Sequence, residues 1–173
     1  FAGGWVNHPA PEGLRREYIE ISRNFDMFHK SGGYPPTLGD YEFKKAVIDF
    51  EKHLYGIDAL SPDQISVGLG STQLTMDLFQ VLLDPGDKLL LLDPSYCNFP
   101  AQLITGILDS EIIRFPVLDD ESWEYIADSK INEFRNFIID EKPKVIMLIS
   151  PDNPTSKVLS NEFVETALQA AIE

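Results

Sequence analysis

An α/β fold, with a mainly parallel sheet flanked by helices, follows from two features of this 173-residue chain. Residues 88–93 and 144–150 carry unbroken apolar runs, Leu89 to Leu92 and Val145 to Ile149, as strands buried on both faces require. Beyond residue 64, strand-like and helix-like stretches alternate, the signature of parallel strands joined by helical crossovers.

The first eleven residues are rich in Gly and Pro and are expected to be irregular. In residues 12–25, Leu14, Tyr18, Ile21 and Phe25 recur at helical spacing and form one apolar stripe. Residues 31–39 hold three glycines and two prolines and predict a loop, after which Asp40 is placed to cap a helix. That helix carries the stripe Phe43, Val47, Phe50 and Leu54. Residues 65–68 read as a short strand, and residues 71–83 as a helix with Leu74, Leu78 and Val81 on one face. Pro85-Gly86-Asp87 is a turn ahead of the strand at 88–93. Helix 96–105, strand 111–115, a helix marked by Ile131, Phe134 and Ile138, strand 144–150 and helix 160–172 complete the order.

The formal charge of −14 disfavours a nucleic-acid partner, because such a surface repels phosphate backbones. A small anion would need a local positive site to overcome that field. The hydrophobic fraction of 43% is enough to bury a core, yet no apolar run approaches the roughly 20 residues of a membrane span. The single cysteine, Cys97, can form no disulfide within the chain, which fits a cytoplasmic, reducing setting. It reads as a small packing residue rather than a nucleophile, since no neighbouring base is evident. His8, His29 and His53 show no metal-ligand spacing, so no metal is expected.

Gly68-Leu69-Gly70-Ser71-Thr72-Gln73 joins the strand at 65–68 to the helix after it. Glycines let the backbone turn tightly, and the helix start offers unpaired N–H groups and the positive end of a dipole. Ser71 and Thr72 add hydroxyls, so the turn is a candidate phosphate site. A plain tight turn with a serine cap is the alternative. A second alternative is a dinucleotide-binding oxidoreductase domain, since Gly68-x-Gly70-x-x-Gln73 is a Rossmann fingerprint lacking its last glycine. Asp93 stands where that reading needs a ribose-binding acid, but Gln73 would obstruct the helix–strand contact that a third glycine permits.

Five ordered motifs then carry a resemblance. They are Tyr34-x(4)-Gly39; Pro62-x-x-Ile65-x-Val67-x-x-Gly70-Ser71; Leu83-Asp84-Pro85-Gly86-Asp87; Pro94-Ser95-Tyr96; and Asn153-Pro154-Thr155-Ser156. The set, spanning residues 34–156, resembles the fold type I pyridoxal-phosphate enzymes, specifically the class I/II aminotransferases. The resemblance implies that residues 34–173 form the first half of the cofactor-binding large domain, truncated. Residues 1–33 would be an N-terminal segment with one helix on the small-domain, substrate side.

It also implies roles by position. Gly70, Ser71 and Thr72 match the turn that holds the phosphate of pyridoxal 5'-phosphate. Tyr96 matches the aromatic that stacks on the pyridine ring, and Asn153 the donor to the ring oxygen O3′, a bond that favours the phenolate. Tyr34 matches a tyrosine reaching the phosphate of a neighbouring subunit, which implies a homodimer. Gly4 and Trp5 fall where relatives line the substrate pocket. Without the resemblance, Tyr96 reads as a core tyrosine, Asn153 as an Asx turn, Tyr34 as a packing aromatic and Gly4 and Trp5 as part of a flexible end.

Two positions depart from the pattern. Ser156 replaces the glycine that follows Asn-Pro-Thr, and it would cost about 1–2 kcal/mol if the backbone there needs a positive φ. Asp152 stands where Asn or His is usual. The family's Schiff-base lysine, its aspartate on the pyridine nitrogen and its two arginines have no counterpart here and are expected downstream. No catalytic residue is therefore assigned within the chain, which alone is expected to be inactive. The implied reaction is amino-group transfer between amino acids and keto acids. A lyase, decarboxylase, synthase or oxidase on the same framework remains open, as does a non-catalytic domain of the same fold.

Overall fold

A computed structural model of the chain describes residues 8–101 and 109–173. The chain divides into two compact units, Phe1–Val67 and Gly68–Glu173.

The first unit is helical. Helix α1 (Glu12–Arg23) opens with Glu12 paired to the Arg15 guanidinium at 2.8 Å. It stops at Asn24, whose side chain turns outward from α1 and accepts from the Met27 N–H to cap α2 (Phe25–Ser31). The apolar period therefore runs on through Phe25 while the helix itself breaks, because Asn24 competes for the backbone donors. Asp40 caps α3 (Tyr41–Tyr55) as expected, accepting from the N–H groups of Glu42 and Phe43 at 2.9 and 3.3 Å. Gly56 ends α3 in the left-handed region at φ 70°. The stripes expected to be buried are largely exposed: Leu14, Tyr18, Phe25, Phe43, Phe50 and Leu54 all face solvent among the described residues.

The second unit is the α/β layer structure. Helix α4 (Gly70–Leu82) leads through a tight turn into β1 (Lys88–Asp93). The turn is held by the Asp84 N–H donating to the Asp87 carboxylate at 2.8 Å and the Asp87 N–H donating to the Asp84 carbonyl at 3.0 Å. Next come β2 (Glu111–Pro116), α5 (Ile131–Glu141), β3 (Val145–Met147) and α6 (Asn161–Ile172). The three strands are all parallel, in the order β2-β1-β3. Lys88 aligns with Glu111, and Leu89 with both Ile112 and Val145.

Side chains alternate across a strand, so the four leucines of β1 serve two cores. Leu90 and Leu92 join Ile113, Phe115, Phe134, Ile138, Phe163 and Ala167 beneath α5 and α6. Leu89 and Leu91 join Phe79, Leu83 and Phe99 on the opposite face. Each leucine contributes about 1.5–3 kcal/mol of transfer energy. In the larger core, Phe134 stacks on Phe163 at 4.3 Å and tilts against Phe115 at 4.8 Å.

Several expectations need correction. Residues 65–68 are not a strand, because they pair with no neighbouring strand among the described residues; Val67 donates only to the Leu38 carbonyl at 3.3 Å. The face Leu74, Leu78, Val81 of α4 is exposed, and Phe79 and Leu83 point to the sheet instead. Strand β3 is shorter than the apolar run and only half-buried, and it lies at one edge of this sheet. Helix follows Tyr96 at residues 98–101, and the rest of the expected helix lies outside the described residues.

Phe134→Ala removes the ring shared by Phe115 and Phe163 and should cost about 3–5 kcal/mol. The urea midpoint should fall with the slope unchanged; a loss below about 1 kcal/mol would show that this stack does not hold the second unit together.

Candidate functional site

Parallel strands send their carboxyl ends to one edge of the sheet, and that edge gathers most of the singled-out residues. Residues 94–96 leave β1 there, and residues 148–157 leave β3 there. Helix α4 turns back into β1 through residues 83–87, and its Phe79 packs on Leu89 and Leu91. Its N-terminus therefore points toward the same edge.

At that N-terminus Gly70 has φ 77°, a left-handed conformation, and open space where a Cβ would stand. A Cβ on Gly68 would come within 2.8 Å of the Leu74 side chain, so this glycine lets the turn lie against its own helix. No side chain caps α4, and no acidic residue occupies its first turn. Ser71 and Thr72 are exposed there, with the positive end of the helix dipole. In a chain of net charge −14 this helix start is a locally positive feature of the edge. Gln73 does not leave room for a third glycine-type contact; its Oε1 accepts from the Leu69 N–H at 2.7 Å and closes the turn from within. Asp93 lies 3.9 Å from the Arg114 guanidinium.

Tyr96 is half-buried on the smaller core, with its ring edge-on to Phe99 at 5.3 Å. Its hydroxyl accepts from the Asn98 amide at 2.7 Å, so two neighbours fix the plane of the ring. Cys97 beside it is exposed rather than packed, because the chain turns outward between Tyr96 and the helical residues 98–101.

The 150–159 loop presents Asn153 at the surface. Asp152 is 6% exposed, and its carboxylate accepts from the Thr155 hydroxyl at 2.6 Å and the Thr155 N–H at 3.2 Å. Across the loop, the Asp152 N–H donates to the Lys157 carbonyl and the Ser156 N–H to the Asp152 carbonyl, both at 2.8 Å. Ser150 Oγ accepts from the Leu159 N–H at 3.0 Å. Ser156 has φ 59°, the conformation that glycine adopts without cost. Sequence reasoning marks Asp152 only as a departure from the pattern and gives neither it nor Thr155 a task. The Asp-x-x-Thr spacing was the available signal, since aspartate commonly accepts from donors two or three residues on.

A cleft of about 610 Å³ opens at this edge, lined by Asp93, Pro94, Trp123, Tyr125, Pro154 and Thr155 among others. Gly70, Ser71, Thr72, Tyr96 and Asn153 share the edge but do not line that cleft. Tyr34 is fully exposed, at 106% of its reference area, on the loop between α2 and α3 in the first unit. Gly4 and Trp5 lie outside the described residues. Among the described residues no cluster of His, Cys, Asp or Glu could hold a metal ion, and no helix is long and apolar enough to cross a membrane.

Residues 6–173 match the family described as aminotransferase class I and II. The L-glutamine–4-(methylsulfanyl)-2-oxobutanoate aminotransferase of Bacillus subtilis is 31% identical over 170 residues, which is 98% of this chain and 40% of that protein. An alanine aminotransferase structure from Pyrococcus furiosus superposes with a TM-score of 0.76 at 27% identity, covering 95% of this chain and 39% of that one. A Thermus thermophilus aspartate aminotransferase with maleate superposes at 0.79, covering 98% and 41%; at 22% identity this likeness is one of fold. The chain thus spans about 40% of the length of the relatives it matches.

Ser156→Gly should relieve the left-handed serine and stabilise the chain by about 1 kcal/mol. A urea titration should show a higher midpoint; an unchanged or lower midpoint would mean that the loop carries no strain at Ser156.

Proposed function

This chain belongs to the aminotransferase class I and II family, and on that premise we propose that it is the first half of a pyridoxal-phosphate-dependent aminotransferase that moves an amino group between amino acids and keto acids. The observation that carries the reading is the uncapped, acid-free start of α4, with Gly70 open, Ser71 and Thr72 exposed, and the carboxyl ends of β1 and β3 at the same edge. An edge so arranged fits a flat anionic cofactor. The relatives named above, all of them aminotransferases, do not favour a lyase, an oxidase or a dinucleotide-binding oxidoreductase.

In this reading the N–H groups and hydroxyls of Gly70, Ser71 and Thr72 hold the phosphate by charge-assisted hydrogen bonds. Tyr96 lies against the pyridine ring, its plane already fixed by Phe99 and Asn98. Asn153 donates its amide to the ring oxygen O3′ and favours the anionic form of that oxygen. Tyr34 reaches the phosphate held by the neighbouring subunit of a homodimer, and Gly4 and Trp5 line the substrate pocket. Residues 34–173 belong to the large domain and residues 1–33 to the substrate side. When bound, pyridoxal phosphate supplies the electron sink that lets the Cα proton of an amino acid depart.

None of the lysines here sits in the family's Schiff-base motif, so the proton-transferring lysine would come from another part of the full-length protein. The 173-residue chain alone should therefore show no transamination. A reducing, cytoplasmic setting is part of the same proposal, consistent with the lone, exposed Cys97.

Titrating the full-length protein with pyridoxal phosphate should raise a visible absorbance band, and NAD should not bind. Ser71→Ala should weaken cofactor affinity about 3- to 10-fold, and Tyr96→Ala about 10-fold with Tyr96→Phe close to wild type. Tight NAD binding without a visible band would overturn the reading. Measurable transamination by the isolated chain would overturn its division of labour.

A further inference from the structure

We propose that Asp152 is a positioning residue whose buried carboxylate fixes the loop that presents Asn153 to the cofactor. The inference rests on the reading of Asn153 as the donor to the ring oxygen, and it assigns a task to a residue that this reading leaves unused.

An aspartate that is 6% exposed needs compensation for its lost hydration. Among the described residues no cation lies within ion-pair distance of Asp152. Its compensation comes from the loop itself: the Thr155 hydroxyl at 2.6 Å and the Thr155 N–H at 3.2 Å, both on Oδ2. The Thr155 hydroxyl oxygen in turn accepts from the Lys157 N–H at 3.2 Å. Together with the two backbone bonds from Asp152 to Ser156 and Lys157, these contacts close residues 152–157 into one ring of hydrogen bonds. Asn153 sits inside that ring, with its own side chain at the surface. Its amide direction is therefore set by backbone that Asp152 anchors on one side and Thr155 on the other.

Tyr125 lines the cleft beside Pro154 and Thr155. Its hydroxyl is buried and has no hydrogen-bond partner among the described residues. Burial first, then the charges of Asp152 and Asp128, push this phenol up to about 12, so it stays neutral at physiological pH.

The test uses four variants of the full-length protein, with pyridoxal phosphate as the probe. Asp152→Ala should weaken cofactor affinity about 10-fold and raise the pH midpoint of the bound cofactor's visible band, because a misaimed Asn153 no longer favours the anionic ring oxygen. Asp152→Asn keeps an acceptor for Thr155 and should stay within about 3-fold of wild type. Thr155→Val should behave like Asp152→Ala, whereas Thr155→Ser should restore affinity and midpoint. In the cofactor-free protein, amide exchange at Thr155 and Lys157 should accelerate in Asp152→Ala and Thr155→Val.

Wild-type affinity and midpoint in Asp152→Ala would overturn the proposal, as would an Asp152→Asn variant as impaired as the alanine. If Asp152→Ala fails to fold, the Thr155 pair decides: equal behaviour of Val and Ser overturns the proposal. A wild-type protein that binds no pyridoxal phosphate would instead sink the reading of Asn153, and this inference with it. The exchange rates would still report whether Asp152 anchors the loop, so the two failures are distinguishable.

Discussion

Strand β1 is the constraint on which the second unit depends. It lies between β2 and β3, and its four consecutive leucines face two different cores in alternation. A strand in that position cannot slip by one residue without exchanging the two sets, so its register fixes both layers at once. The parallel direction of its neighbours then places three carboxyl ends at one edge. Loops at that edge need not fill a core, which leaves them available for chemistry.

The edge is built by short-range devices resting on that long-range frame. A left-handed Gly70 opens the start of α4, an edge-to-face contact with Phe99 orients the Tyr96 ring, and a self-closed ring of hydrogen bonds shapes the Asn153 loop. Each device is local in sequence, and each is aimed by β1 or β3. Ser156 in the left-handed region shows that the loop holds its shape even without the glycine that would adopt it freely. Strain retained at one residue is expected where surrounding contacts over-determine the backbone.

Much of this was legible from the residues alone. The double burial of β1 follows from its unbroken apolar run, and the cap at Asp40 follows from residue type and position. The family follows from ordered motifs that no periodicity could supply. What escaped the sequence were facts of context. Leu74, Leu78 and Val81 have the spacing of a core face, yet Phe79 is the side chain that meets β1. Spacing identifies a face but not which neighbour covers it. Residues 65–68 have strand composition but find no partner among the described residues, and a strand is defined by its partner. Asp152 looked like a departure from a pattern, and only its burial and its bonds to Thr155 gave it a task.

The central claim is that the turn at the start of α4, the Tyr96 ring and the Asn153 amide address one ligand. A crystal structure of the full-length protein soaked with pyridoxal phosphate tests it most directly. It should place the phosphate within about 3 Å of the Ser71 and Thr72 N–H groups and the ring oxygen within about 3 Å of the Asn153 amide, with the pyridine ring lying flat on Tyr96. Cofactor bound elsewhere, or in contact with the α4 turn while Tyr96 and Asn153 remain remote from it, would contradict the account.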